Sequence, residues 1–353
     1  MLSVLLPTGV SSLSRTFASE VIKTLPTYKQ FKKKNTVHNR AMSLFNPPKG
    51  LNFFKMFQKA YKQSKRQLPE YNAFSGALCY SGFSLIAQKP YNNIPKIMGF
   101  VQRVWKKDPM LKDPKELTKS IKFAAKFLGA DLVGISKYDP RWTYKENNRK
   151  FSKYKNSVVI GIAMDDRALS PGTSFLSNAE VSFTYSKLAL TLTLMTSLVK
   201  TIGGKCQGTI NEALTIPMAI QAGLGHMGRS NLLINPEYGP GIRLANIFTD
   251  LDLNFDEPIP DTITPVCEKC GKCARKCPSQ AISHDKKPSY KSPTKSNSIG
   301  VLRWPHDPEK CWSQWCKLGH DCVECIRACP FRKKSKKRGE YSPQEFIEEV
   351  LNQ

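Results

Sequence analysis

The sequence predicts a mixed α/β (α+β) core followed by a small cysteine-rich domain. Two observations carry this prediction. Helix-like and strand-like hydrophobic patterns alternate between residues 111 and 260, and nine of the eleven cysteines lie between Cys267 and Cys329. The chain has 353 residues, of which 40% are hydrophobic and 23% charged, so a packed core is expected. No uninterrupted apolar run reaches the ~18 residues of a membrane-spanning helix.

The core begins with a capped helix. Asp113, Pro114 and Glu116 have the order of an N-cap, a first-turn proline and a capping acid. Apolar residues then recur at helical spacing until Gly129, which is suited to end the helix. Further elements follow from the hydrophobic pattern and the turn residues: strands at 131–136, 157–164, 232–234 and 242–249, a long helix at 177–201 and a shorter helix from 216 to 223. A linker at 250–264 precedes the cysteines, and a polar insertion at 283–302 divides them.

The net charge of +26 is concentrated near the N-terminus, since residues 1–130 carry 23 Lys and Arg against 5 Asp and Glu. We expect residues 1–110 to form a basic, partly disordered region that continues as a loosely packed wrap. A second basic run follows at 332–338. Surfaces of this kind contact anionic lipid, acidic proteins or nucleic acid. The first 19 residues resemble an organellar presequence weakly, and no twin-arginine signal opens the chain. Reduced, metal-binding cysteines suit the cytoplasm, so we expect a cytoplasmic protein, and peripheral membrane contact through its basic surface is an alternative that stays open.

The cysteine spacing predicts iron–sulfur clusters. The first run, Cys267 to Pro278, reads C-x2-C-x2-C-x3-C-P, and the second run ends in C-x2-C-x3-C-P. The first spacing is that of bacterial two-cluster ferredoxins, in which the fourth cysteine ligates the other cluster. We predict a ferredoxin-like domain with two [4Fe–4S] clusters over 261–335, followed by a C-terminal helix over 336–353. The alternatives are a zinc ribbon, which normally has paired C-x2-C knuckles, and a disulfide framework, which is typical of shorter secreted chains.

The same pattern assigns the ligands. Cluster A is expected to take Cys267, Cys270, Cys273 and Cys329. Cluster B is expected to take Cys277, Cys322, Cys325 and one upstream cysteine, for which Cys311 and Cys316 are both candidates.

Several stretches, taken in order, resemble the catalytic subunit family of reductive dehalogenases, which are corrinoid and iron–sulfur enzymes. They are residues 124–134, Asp139-Pro-Arg-Trp142, 216–231, the Glu-Tyr-Gly-Pro turn at 237–240, and 248–253. The resemblance implies a nitroreductase-like, cobalamin-binding core over 111–260. It also favours Cys311 over Cys316, because the family has a cysteine, a short spacer and a tryptophan at this point, here Trp315. The related epoxyqueuosine reductases share part of the pattern, but residues 226–231 are closer to the dehalogenases.

The resemblance implies a catalytic tyrosine with a basic partner, which map to Tyr185 and Arg243, and Asn211 as an orienting residue. A guanidinium beside a phenol stabilises the phenolate, so the pair could deliver and recover a proton. Four further residues are implied to contact the corrinoid: Gly223, Gly225, Gly228 and Arg229.

The expected function is reductive cleavage of a carbon–halogen bond in a small organohalide. Its electrons would come from a low-potential donor such as a ferredoxin, a flavodoxin or a quinol-linked system. Two alternatives stay open: an epoxyqueuosine-reductase-like enzyme acting on tRNA, and a two-cluster electron-transfer protein. The register at residues 226–231 argues against the tRNA alternative, so nucleic acid is not expected as a partner.

Overall fold

A four-stranded antiparallel sheet forms the centre of the fold. The computed structural model describes residues 22–37, Arg40 and 113–332. Six strands occur in these ranges: β1 Leu132–Lys137, β2 Asn156–Ala163, β3 Cys206–Thr209, β4 His226–Met227, β5 Leu233–Ile234 and β6 Ile242–Thr249. The central sheet has the order β1-β2-β6-β3, and β4 and β5 pair as a separate two-stranded sheet.

Helices cover the sheet and carry the cysteines. Those described are α1 Pro114–Phe127, α2 Asn148–Phe151, α3 Asp166–Leu169, α4 Phe175–Thr201, α5 Thr215–Gln221, α6 Ile263–Cys270, α7 Lys272–Lys276, α8 Pro308–Leu318 and α9 Glu324–Arg327. Single 3₁₀ turns lie at Lys33–Asn35, Pro140–Trp142 and Lys145–Asn147. Within the described ranges, no helix has the length and apolar character to cross a bilayer.

The central sheet is buried on both faces because β2 and β6 have apolar residues at successive positions. Neighbouring side chains of a strand point to opposite faces. Val159 and Phe248 thus pack with α5 and the buried Trp142, whereas Val158 and Ile247 pack with α1 and α4. This burial explains why the sequence shows continuous apolar runs at 157–164 and 242–249.

The N-terminus of α1 forms as predicted. The Asp113 carboxylate accepts a hydrogen bond from the backbone N–H of Lys115 at 2.9 Å, and Pro114 occupies the first turn. Leu117 and Ile121 are buried on one face of the helix. The long helix α4 begins two residues before the predicted start, because Ser174 and Ser177 form a reciprocal capping box.

The N-terminal stretch 22–37 packs against both the core and the polar insertion. Thr24 pairs with Val301 as an isolated bridge. The Tyr28 hydroxyl donates to the Arg141 carbonyl at 2.7 Å, and its ring lies 5.6 Å from that of Trp142. The rest of the predicted N-terminal region, and the predicted C-terminal helix at 336–353, lie outside the described residues.

Gly134 on β1 provides a test of this packing. A Cβ at Gly134 would lie 2.4 Å from the Ala222 carbonyl oxygen, whereas a Cβ at Gly241 would meet nothing closer than 3.8 Å. We expect Gly134→Ala to destabilise the fold by about 1–3 kcal/mol, because backbone rather than a flexible side chain must move. Gly241→Ala is the matched control. Thermal unfolding of the anaerobic protein measures the difference, and equal melting temperatures for the two variants would contradict the packing described.

Candidate functional site

The four cysteines predicted for cluster A line one cavity. Cys267 and Cys270 come from α6, Cys273 from α7 and Cys329 from the segment after α9. Gly271, at a φ of 59°, forms the left-handed turn between α6 and α7. This left-handed residue ends α6 and begins α7 at a single position, which glycine does without strain. It thereby allows cysteines on both sides of the turn to face the same cavity.

The cysteines predicted for cluster B form a second group. Burial, together with the neighbouring Cys322 and Cys277, raises the pKa of the Cys311 thiol to about 12. The Cys325 pKa is also raised, first by burial and then by Cys311, Cys322 and other thiols. Thiols that raise one another's pKa in this way lie close together. Helices α8 and α9 bring Cys311 and Cys325 to Cys277, and all three pack around Ala274.

Cys316 lies elsewhere. It is buried against Trp312, with Trp315 and Val37 packed around the pair. Because Cys311 and Cys316 are five positions apart on α8, their side chains point roughly 140° apart around the helix axis. This placement favours Cys311 as the fourth ligand of cluster B.

The two cysteine groups fit the [4Fe–4S] clusters that they are predicted to hold. Burial raises the pKa of Cys273 to about 11 and that of Cys329 to about 12. A bound iron cluster offsets this cost, because its positive charge stabilises the thiolate form. Among the residues described, no three or more Cys, His, Asp or Glu side chains are arranged to hold a single metal ion.

Hydrogen bonds reach two sulfurs of the second group. The Thr173 hydroxyl donates to Cys322 Sγ at 3.6 Å and accepts from the backbone N–H of Val323 at 3.2 Å. The backbone N–H of Ala281 donates to Cys277 Sγ at 3.3 Å. Donors to the sulfurs stabilise the more negative, reduced state and so raise a cluster's potential.

Thr173 is expected to tune cluster B. Thr173→Val removes the donor and should lower that cluster's reduction potential by on the order of 40 mV, the equivalent of about 1 kcal/mol for one electron. Thr173→Ser retains the hydroxyl and is the matched control. An EPR-monitored redox titration measures both variants, and a potential that Val and Ser change equally would contradict a role for the hydrogen bond.

The structure brings Tyr185 and Arg243 together. Tyr185 lies on α4 and Arg243 on β6, both half-buried, and the guanidinium carbon of Arg243 lies 5.1 Å from the centre of the tyrosine ring. The Arg243 Nε is buried and has no hydrogen-bond partner among the described residues. Asn211 is exposed in the turn after β3, and no hydrogen bond joins it to the rest of the described chain. The predicted pair is therefore in contact, whereas no hydrogen bond links Asn211 to it among the described residues.

Asp321, which was not among the predicted site residues, lies near both this pair and the second cysteine group. It immediately precedes Cys322, and its backbone N–H donates to Asn178 Oδ1 on α4 at 3.1 Å. Burial raises the pKa of the Asp321 carboxyl to about 6, and the nearby Arg243 guanidinium acts to lower it. Its position directly before a cluster cysteine was the available signal. Tyr185 and Cys325 also pack against one apolar cluster that includes Val323, so the Tyr185–Arg243 pair lies beside the second cysteine group.

The three predicted glycines face protein atoms. A Cβ at Gly223 would lie 2.5 Å from the Glu257 carbonyl oxygen, and one at Gly225 would lie 2.2 Å from that of Ile234. At Gly228 a Cβ would meet the Ile234 side chain at 2.3 Å. Close approach of the chain to itself explains the glycine at each position. Contact of these residues with a cofactor stays a prediction.

Arg229 is buried beside the first cysteine group. Its guanidinium donates to the Cys267 carbonyl oxygen at 2.8 and 3.2 Å and to those of Ser283 and Asp285 at 3.0 and 2.5 Å. It also lies 5.1 Å from the centre of the Trp304 ring. Its donors as placed here hold the first cysteine loop and the polar insertion together. A contact with a cofactor phosphate likewise stays a prediction.

The fold and the two cysteine groups define a two-cluster iron–sulfur protein, and residues 266–333 match the family described as a 4Fe-4S dicluster domain. The chain is 30% identical over 267 residues to the tetrachloroethene reductive dehalogenase of Sulfurospirillum multivorans, covering 65% of this chain and 52% of that protein. It is 32% identical over 267 residues to a Desulfitobacterium hafniense protein of the same name, covering 62% and 48%. These matches confirm the resemblance to the reductive dehalogenase family.

Solved structures agree on the fold. The catabolic reductive dehalogenase NpRdhA superposes with a TM-score of 0.65 at 20% identity, covering 94% of this chain and 47% of that chain. In a comparison of sequences, an epoxyqueuosine reductase from Lactococcus garvieae is 29% identical over 124 residues, covering 33% of this chain. The chain therefore spans about half the length of the reductive dehalogenases that it matches.

Proposed function

We propose that this chain is an oxidoreductase that reductively cleaves the carbon–halogen bond of an organohalide. The single observation that supports this most is the Tyr185–Arg243 pair, 5.1 Å apart, beside the cluster B cysteines in a chain with the reductive dehalogenase fold. A two-cluster electron carrier would have no evident use for a half-buried phenol and guanidinium at that point.

The net reaction consumes two electrons and one proton. The carbon–halogen bond breaks, a carbon–hydrogen bond forms, and halide leaves. The two [4Fe–4S] clusters, when bound, pass the electrons one at a time. A low-potential donor supplies these electrons.

Tyr185 is proposed as the proton donor. Transfer of its phenolic proton leaves a phenolate, which the Arg243 guanidinium over its ring stabilises by charge. Arg243 suits this role because a guanidinium remains charged when partly buried. The buried, unpartnered Nε of Arg243 gives it a further donor for a bound substrate or the departing halide. Asn211 is proposed to orient the substrate from the exposed turn after β3.

A corrinoid is proposed from the resemblance alone. The segment predicted to hold it does not offer an open cradle, since Gly223, Gly225 and Gly228 face protein atoms and Arg229 is engaged with backbone carbonyls.

Anaerobic reconstitution with iron, sulfide and cobalamin tests the proposal. We expect about eight iron and one cobalt per chain, and halide release from a panel of chlorinated and brominated alkenes and phenols. Eight iron without cobalt and without halide release would overturn the dehalogenase proposal and leave a two-cluster electron carrier.

The second candidate is an epoxyqueuosine-reductase-like enzyme. It is favoured by the net charge of +26, which suits a phosphate backbone, and by the similarity to those reductases over 124 residues. Salt-dependent tRNA binding together with reduction of epoxyqueuosine in tRNA would support it. Undetectable tRNA binding at low salt would exclude it.

A further inference from the structure

We infer that the surface over Cys270 is the docking site of a small, acidic electron-carrier protein that reduces cluster A. This inference rests on the proposed function for the fate of the electrons, but the docking itself does not depend on the substrate. We call this surface the Cys270 face. It consists of Pro265, Val266, Lys269, Cys270, Lys272 and Pro330.

The Cys270 face is the point at which the cluster A cavity approaches the surface. Cys270, Val266 and Pro330 line both the cavity and the shallow surface depression above it. Val266 is 41% exposed, which is unusual for a valine next to a ligand loop. An electron carrier that covers the depression would therefore be separated from cluster A by the Cys270 loop alone.

The charge around the depression is positive and unbalanced. Residues 263–276 contain four basic residues and one acid, Glu268. Lys269 and Lys272 line the depression, and Lys276 follows one turn later on α7. In the described part of the chain, no carboxylate lies within ion-pair distance of these three lysines. Their charge is thus available to an acidic partner.

The apolar centre suits transient docking. Pro265, Val266 and Pro330 form a small uncharged patch inside the basic rim. Electron-transfer complexes use small interfaces of this form, in which charge steers the encounter and a modest apolar contact holds it briefly. Lysine flexibility also allows the rim to adapt to carriers of differing shape.

The position of cluster B gives the electrons a direction. Cys273 and Cys325 pack against the same buried cluster around Ala274, so the two cysteine groups are neighbours. The second group in turn lies beside the Tyr185–Arg243 pair, because Cys325 and Tyr185 pack against the same apolar cluster of Val323 and Ile326. Electrons that enter at the Cys270 face would pass from cluster A to cluster B and then to the Tyr185–Arg243 site.

A stopped-flow experiment with a reduced, acidic [2Fe–2S] ferredoxin tests the docking site. The oxidised, reconstituted full chain is mixed with this ferredoxin anaerobically, and cluster reduction is followed by absorbance and EPR. The patch variant is Lys269→Glu with Lys272→Glu. The control is Lys115→Glu with Lys137→Glu, which makes the same change in net charge at two exposed lysines of α1 and β1.

We expect the second-order rate constant to fall at least about tenfold in the patch variant and about twofold or less in the control. The wild-type rate should also decrease steeply with salt. Iron content and full reduction by excess dithionite establish that each variant retains both clusters. Equal losses in the two variants, or no loss in either, would overturn the inference.

An anionic membrane is the competing occupant, since lipid headgroups also attract lysines. Vesicles of phosphatidylcholine with phosphatidylglycerol are used as the probe. Binding to vesicles that the patch variant loses, with an unchanged ferredoxin rate, would assign the face to a membrane and overturn the inference. Because cluster reduction is the readout, failure to release halide would leave this result intact and count only against the proposed function.

Discussion

Tyr185→Phe is expected to lower the rate of halide release at least about a hundredfold while leaving both clusters in place. Removing a positioned general acid typically costs about 10²–10⁴ in rate. The ring itself stays, so its packing against the cores on either side of α4 is retained. Steady-state kinetics of the reconstituted protein measure the effect, which should fall on kcat rather than on KM because the phenolic proton is needed after substrate binding.

Tyr290→Phe is the matched control, since Tyr290 is exposed in the polar insertion, far along the chain from the pair. Its kinetics should equal those of the wild type. If Tyr185→Phe released halide at close to the wild-type rate, another group would have to supply the proton. The Arg243 stacking would then be a packing contact only.

Cys311→Ser is expected to remove cluster B and to lower the iron content from about eight to about four per chain. Cys311 shares its buried surroundings with Cys277, Cys322 and Cys325, and its loss leaves three thiolates for that cluster. Halide release should fall to background, because cluster B lies between cluster A and the Tyr185–Arg243 pair. Iron analysis with EPR of the reduced protein measures the change.

Cys316→Ser is the control on the same helix. Cys316 packs with Trp312 on another face of α8, so this variant should retain about eight iron and its activity. The reverse outcome, with iron lost only from Cys316→Ser, would assign Cys316 to the cluster and overturn the ligand set proposed here.

Cysteine spacing could not decide between Cys311 and Cys316 as the fourth ligand of cluster B. Spacing alone brought both into range of cluster B, because a ligand can come from either face of an unassigned segment. The decisive information is that residues 308–318 form a helix with Cys311 on the inner face. A signal for that helix was available: Asp307, Pro308 and Glu309 repeat the N-cap, proline and acid that correctly located α1.

Elements with strong local signals were predicted well. The strands at 157–164 and 242–249 and the long helix at 177–201 agree with β2, β6 and α4 to within two residues. Strand β3, Cys206–Thr209, was missed because its four residues include a glycine and two polar side chains, and it is held by pairing with β6 rather than by its own propensity. Short β4 was missed for a similar reason.

Side-chain contacts between distant segments could not be predicted in the same way. The pairing of Arg243 with Tyr185 followed from the family resemblance, whereas the position of Asp321 directly before a cluster cysteine did not show that its carboxyl would lie near Arg243. Arg229 gives the converse case. Its glycine-rich surroundings suggested a cofactor contact, but its guanidinium is directed at the carbonyls of Cys267, Ser283 and Asp285, which are up to 56 positions away.

Because of the contacts of Arg229, the iron–sulfur segment is not expected to fold as an independent domain. Its first ligand loop is tied to the core through Arg229, and its last through Gly239, where a Cβ would lie 2.3 Å from the Phe331 carbonyl oxygen. A fragment that begins at residue 261 would lack both contacts. Its cysteines would then have to bind iron without the support of the core. We therefore expect the core to support the ligand loops while the clusters are bound.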